Sequence, residues 1–259
     1  MRRIFSLKPV ILIAGMLIAS PGLSLAADAP TWQYGLSFSY LTGDYGEDED
    51  TDILYTAATV KRYFEKGDIT LTVPYLDIDG GVTFIDGGAE PVAGAGGGSG
   101  LGDIILKGRY YATEQDGPLP FIDLVGSIKF PTADEDKGLG TGEADFTMMA
   151  EFARRLQNEA WIVLGEIGYT FVGEPSDYDV DNRWLYSVGL AYELNPKVTL
   201  SGYLDGRTAI IESNEDPLSI LMIGEYKFRP DLRLDTLLEV GLNDGAPDLA
   251  LTFGVRKRM

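Results

Sequence analysis

The chain contains no cysteine and no histidine. Without cysteine there is no disulfide framework and no thiolate metal site. Without histidine there is no Ser-His nucleophile pair, no imidazole acid–base group and no His-ligated zinc. Bases are scarce as well, 21 Lys and Arg against 40 Asp and Glu. Phosphate binding needs a positive face, so nucleic acid is not an expected partner. Past the first 26 residues no run of 18 or more apolar residues occurs, so no transmembrane helix is expected there. Hydrophobic residues nevertheless make up 45% of the chain, and they have to be placed in some other way.

Residues 1–26 read as a secretory signal peptide that is removed. Arg2, Arg3 and Lys8 precede an apolar run from Pro9 to Ile18, and Ser24-Leu25-Ala26 supplies a small-residue end, with cleavage expected near Ala26 or Ala27. Losing three of the 21 bases leaves 18 against 40 acids, a mature net charge of −22. Residues 27–259 carry no Pro/Ser-rich linker and are expected to form one domain.

What those residues do carry is a period of two. Trp32, Tyr34, Leu36, Phe38 and Tyr40 alternate with Gln33, Gly35, Ser37 and Ser39. Ile69, Leu71, Val73 and Tyr75 repeat the pattern, as do Ile104, Leu106 and Tyr110, then Ile122, Leu124, Ile128 and Phe130, then Phe146, Met148, Ala150 and Phe152. Segments 161–171, 184–192, 198–204, 218–228, 234–242 and 249–255 continue it. Only 53–64 is ambiguous, because Tyr55 and Val60 fall on opposite parities. A bilayer core cannot hydrogen-bond the backbone, so a chain that crosses it without helices has to close a sheet on itself. The expected fold is therefore all-β: a single antiparallel, up-and-down transmembrane β-barrel of about twelve strands.

The connections fit that count. Six long links (43–52, 86–100, 132–143, 173–182, 211–217 and 243–248) alternate with tight turns such as 65–68, 195–197 and 229–231, the asymmetry of extracellular loops and periplasmic turns. The six loops hold 21 acids and one base, Lys137. Lys66, Arg154, Arg155, Lys197, Arg229, Arg233, Arg256, Lys257 and Arg258 are assigned to the short turns and the C-terminal tail. Trp32, Trp161, Tyr192 and Phe228 at one end of the strands, and Tyr40, Phe130, Phe171 and Trp184 at the other, form two expected interfacial girdles.

The inward parity supplies the candidate lumen-lining residues: Asp103, Lys107, Arg109, Asp123, Lys129, Glu151, Glu166, Asp205, Arg207, Glu225, Lys227, Asp235 and Glu239. Charges in such numbers must pair across strands or face water, and they suggest a wet lumen. The glycine-rich stretch Gly80–Gly100 reads as a mobile loop, with an inward dip as the alternative. It is not a phosphate loop, since no Lys-Ser/Thr follows it. Paired carboxylates are plentiful but none stands out by spacing, the acidic run Glu47–Asp50 lacks EF-hand spacing, and no enzyme, resident metal or cofactor is expected. The acidic loops are either a solvated surface or attract divalent cations.

Gly98-Ser99-Gly100-Leu101-Gly102-Asp103, Lys129-Phe130-Pro131-Thr132 and Gly138-Leu139-Gly140-Thr141-Gly142 resemble the outer-membrane proteins linked with the meta-pathway of phenol degradation. In that family a Gly-Leu-Gly-Asp opens one strand, a Lys-x-Pro-Thr closes the next and a Gly-Thr-Gly leads into the third. One departure is the C-terminus, which reads Arg256-Lys257-Arg258-Met259 where bacterial barrels commonly end on an aromatic residue. The resemblance implies a passive channel in the outer membrane of a Gram-negative-type envelope, with outer-membrane lipid around it and small aromatic or hydrophobic molecules as solute. The alternative is a non-conducting barrel with a binding, adhesion or envelope-structural role through its acidic loops. The oligomeric state is left open.

Overall fold

The computed structural model describes residues 31–85, 88–91, 97–113, 119–156, 160–176 and 179–259. The expected signal peptide lies outside the described residues. Fifteen strands follow one another: β1 (Trp32–Gly43), β2 (Thr51–Phe64), β3 (Gly67–Asp79), β4 (Val82–Ile85), β5 (Gly88–Pro91), β6 (Gly98–Leu101), β7 (Ile104–Thr113), β8 (Phe121–Phe130), β9 (Asp145–Arg155), β10 (Trp161–Phe171), β11 (Arg183–Asn195), β12 (Val198–Arg207), β13 (Leu218–Arg229), β14 (Leu232–Gly241) and β15 (Leu249–Arg258). Thirteen belong to one antiparallel sheet, and β4 with β5 makes a separate hairpin.

The large sheet closes on itself. Each strand pairs with its chain neighbour, and β1 pairs with β15 in register from Gln33↔Arg258 to Thr42↔Leu249. β6 and β7 both hydrogen-bond to β3 and occupy one position in the wall, broken at Gly102 and Asp103. Thirteen strands thus fill twelve positions, and the barrel has no free edge. Barrel strands of 10 to 14 residues, rising about 3.3 Å per residue at a tilt of roughly 40°, are long enough to cross an apolar band about 25 Å tall.

The outer face is what a bilayer demands. Phe38, Leu54, Tyr75, Leu124, Met148, Val188, Leu200, Met222 and Phe253 are all exposed, on the parity opposite to the buried polar residues. Rings gather at both rims: Trp161 meets Tyr192 in a tilted contact at 4.7 Å at one end, and Tyr169 meets Trp184 edge-on at 4.8 Å at the other. These belts fit the headgroup regions. The register shifts between β7 and β8, β11 and β12, and β13 and β14 all lie at the periplasmic ends, beside the short turns. One such turn is locked by Asn195, whose Oδ1 accepts from the backbone N–H of Lys197 at 2.9 Å and of Val198 at 3.0 Å, an Asx turn.

The ambiguous segment resolves as β2, and the cause of the ambiguity is visible. Val60 and Leu54 face lipid while Ile53 and Tyr55 are buried inside. They join Leu41, Leu76, Ile78 and Ala250 from neighbouring strands and Tyr45, Val82 and Leu139 from three loops in one apolar cluster at the extracellular end. Val82 opens the β4–β5 hairpin and is fully buried, so the start of the glycine-rich stretch turns inward. Residues 86–87 and 92–96 of that stretch lie outside the described residues.

Candidate functional site

The interior has three parts, set by which residues fall on the inward parity of which strands.

An ionic arc runs over β13, β14, β15, β2, β3, β7, β8 and β9. Lys61 Nζ lies 3.1 Å from Asp68 Oδ1, and the Tyr111 hydroxyl donates to Asp68 Oδ2 at 2.7 Å. Arg109 donates to Glu151 Oε1 at 2.8 Å and to Asp123 at 3.4 Å, and also engages Glu151 Oε2. On the other flank Arg256 donates to Asp235 Oδ2 at 2.6 Å and to Glu225 Oε2 at 2.9 Å, with a second contact to Asp235. Arg233 donates to Glu225 Oε1 at 2.6 Å. Each guanidinium bridges strands through its planar fork of donors, which a lysine cannot reproduce. Asp123, held by Arg109, is 1% exposed, and Glu239, which accepts from the Ser219 hydroxyl at 2.8 Å, is 8% exposed, so both acids are enclosed and partnered.

Ten of the thirteen candidates are buried on the inward face: Asp103, Arg109, Asp123, Lys129, Glu151, Glu166, Arg207, Glu225, Asp235 and Glu239. Lys107, Asp205 and Lys227 share that face and are half-buried. Asp103 sits in the break between β6 and β7 and not in a strand. Arg233 and Arg256, assigned from sequence to the turns and tail, are 7% and 4% exposed and belong to the ionic arc. The strands run further toward the C-terminus than the 249–255 segment indicated, with β15 continuing to Arg258. Lys61, Asp68, Asp145 and Arg183 are further interior charges that sequence reasoning missed. Parity was the signal available for them: Arg256 falls between the lipid-facing Val255 and Lys257.

The second part is an apolar arc on β8 to β14. Phe121, Ala153, Ile162, Leu164, Ala191, Tyr203, Leu221, Ile223 and Leu237 form one buried cluster on inward positions. A water-filled porin interior is polar on this parity. Here these nine positions are not.

The third part is the mouth, and it explains the motifs. Asp103 Oδ1 accepts from the backbone N–H groups of Thr132 and Ala133, both at 2.9 Å. Lys129 Nζ reaches Asp145 at 2.8 Å, Asp103 at 3.4 Å and the Thr141 hydroxyl at 3.0 Å. Asp145 in turn accepts from the Gly173 N–H at 2.9 Å. The Thr132 hydroxyl donates to the Gly102 carbonyl at 3.1 Å. The Gly-Leu-Gly-Asp, Lys-x-Pro-Thr and Gly-Thr-Gly segments are thus one polar knot. The knot folds the 131–144 loop back over the barrel through a short 3-10 turn, Glu135–Lys137, which ends on Gly138 at a φ of 68°, a left-handed conformation that suits glycine. That turn delivers Leu139, 1% exposed, into the apolar plug.

Outside the plug the loops are acidic. Asp248 has its carboxyl held above the usual range by burial and by the neighbouring Asp44, Asp50 and Asp244. Among the described residues no three acidic side chains converge as a metal site requires, so the loop charge acts as a diffuse field.

The comparisons follow the same outline. A channel described as an outer membrane channel from Pseudomonas putida F1 superposes with a TM-score of 0.69 at 13% identity, over 93% of this chain and 100% of that one. The translocator domain of the autotransporter NalP from Neisseria meningitidis gives 0.57 at 10% identity over 91% of each chain. The NanC porin gives 0.54 at 8% identity over 87% of this chain and 100% of that one. At these identities the likeness is one of fold, and the three functions differ. A search of curated protein sequences finds no match. Residues 65–259 match the model of the family described as "Putative MetA-pathway of phenol degradation", which covers most of the chain, and the chain belongs to that family.

Proposed function

We propose that this protein is a passive outer-membrane channel for small apolar or aromatic molecules, with no catalytic step of its own. The observation that carries the reading is the apolar arc. Lipid contacts the outer parity only, so inward Leu164, Leu221, Ile223 and Leu237 are not explained by the membrane. They give an apolar solute a surface that offers no competing hydrogen bond, while the ionic arc opposite holds the barrel's cross-section. The apolar plug at the mouth favours the same class of solute, since hydrated ions lose water there at a cost. We assign the thirteen inward charges to the wall of this path. The family description agrees with a solute of that class. How closed the interior is favours a second reading, a non-conducting barrel that acts through its loops.

Planar-bilayer recording of the purified protein separates the two. Small discrete current steps, interrupted by a dissolved aromatic such as toluene, are the expected result. Leu221→Asp, which puts a charge in the apolar arc, is expected to abolish the interruption while steps persist. A silent bilayer, or steps indifferent to the aromatic in both proteins, would overturn the channel reading.

A further inference from the structure

Glu166, at mid-height on β10, is 4% exposed, and among the described residues neither of its carboxylate oxygens has a partner. Every other buried interior carboxylate described above is held by an arginine, a lysine, a hydroxyl or a backbone N–H. Register sets Glu166 directly opposite Ser187 on β11, and Ser187 directly opposite Asp205 on β12. The Ser187 hydroxyl and Asp205 Oδ1 are also buried without a partner among the described residues. Neighbouring strands lie about 4.8 Å apart, so two carboxylates flank one hydroxyl along roughly 10 Å of a single inward row.

The next inward row toward the periplasm is Leu164, Gly189 and Tyr203. A side chain at Gly189 would run into the Tyr203 ring, so glycine there lets the ring lie over the strand as an aromatic shelf beside the acids. Leu164 and Tyr203 belong to the apolar arc.

Charge points the same way. Asp123, Glu151, Glu166, Asp205 and Glu239 act on one another across this stretch of wall together with Lys107, Arg109 and Arg207. Counted by residue, five acids stand against three bases in this stretch, and the adjoining Lys61 and Asp68 are matched to each other. Arg109 is committed to Asp123 and Glu151. Among the described residues neither Lys107 nor Arg207 forms an ion pair with Glu166 or Asp205.

We propose that this row is a binding station for small organic ammonium ions. The –NH3⁺ group sits over Ser187 between Glu166 and Asp205, where its three N–H donors meet three acceptors. The hydrocarbon body lies on Tyr203 and Leu164, and the ring face adds attraction for the cation. A buried carboxylate without a partner is unfavourable, and the ligand supplies the missing charge. The proposal rests on the channel reading only for how the ligand enters.

Titration calorimetry on the detergent-folded protein with benzylammonium chloride tests it. Folding is first verified by heat-shifted gel migration. Wild type is expected to bind, and Glu166→Gln and Asp205→Asn to weaken binding roughly 10- to 100-fold, the loss of a hydrogen bond to a charged group. Benzyl alcohol, which has the ring without the charge, is expected not to compete. Glu166→Gln removes an unpaired charge, so it leaves the fold intact. Equal binding by wild type and Glu166→Gln would overturn the proposal. So would displacement by potassium chloride at matching concentration, which would make the row an inorganic-cation site. Binding by Lys107→Met but not by wild type would show that Lys107 already fills the row, and would also overturn it. Conductance is read separately: a silent bilayer with binding intact sinks the channel and leaves the station standing, whereas current steps without binding sink the station alone.

Discussion

On β14, β15, β2, β3 and β7 the interior positions carry Arg233, Arg256, Lys61, Asp68 and Arg109, while on β9 to β13 Ala153, Leu164, Ala191, Tyr203 and Ile223 share the interior with Glu151, Glu166, Ser187 and Glu225. The two sides of one tube are held by different physics. In the ionic arc Arg109 and Arg256 each satisfy two carboxylates across strands, so the arrangement is rigid and fails as a unit: a buried charge that loses its partner is left unsolvated. In the apolar arc each side chain contributes separately through buried area, and loss of one leaves its neighbours satisfied. A wall that must keep its shape and also let a solute slide past has reason to divide the two tasks.

That contrast can be broken experimentally, beginning where the effect is greatest. Arg256→Met strands Asp235 and leaves Glu225 to Arg233 alone, and is expected to cost about 3–5 kcal/mol, read as a fall in the urea midpoint of refolding into bilayers. A cost below about 1 kcal/mol would mean that water reaches those carboxylates and that the arc is not a dry network. Leu237→Ala, in the opposite arc, is expected to cost about 2 kcal/mol, the low end for a buried leucine because its surroundings face a lumen. A loss equal to that of Arg256→Met would erase the distinction between the arcs. The smallest effect belongs to the mouth. The Asp248 carboxyl is raised in the folded state by burial and by Asp44, Asp50 and Asp244. Its ionised form therefore opposes the folded mouth at neutral pH, and that opposition is lost as the pH falls through the raised value. Protease cleavage of the loops, compared at pH 7 and pH 5 with an enzyme active at both, is expected to slow slightly at the lower pH, and Asp248→Asn to remove the difference.

The barrel was legible because lipid enforces a period of two on every strand, and Trp32 to Tyr40 shows it over nine residues with no exception. β2 was the one blurred strand, for a reason that is itself functional. Ile53 and Tyr55 are apolar on the inner parity because they floor the plug, and that cancels the alternation the outer residues create. Position on a face could be read for Asp123, Glu151 and Glu225, but partnership could not. That Arg109 would span to Glu151 two strands away depends on register and on the reach of the side chain, neither of which is local in sequence. Arg233 and Arg256 fall outside segments bounded by their outermost apolar residues, Leu234 and Val255, although the parity of those two residues already turns the neighbour inward. Parity left open whether these charges pair across strands or face water, and in the ionic arc they pair.

The knot of Asp103, Lys129, Thr132, Thr141 and Asp145 carries an implication for kinship. The residues by which the chain is recognisable tie a loop to the rim. Inheritance of that fastening keeps the lid on the vessel but leaves its contents free to diverge. Relatives that share the three signatures can therefore carry dissimilar cargo, and it is the lining of each tube, compared member by member, that would sort them.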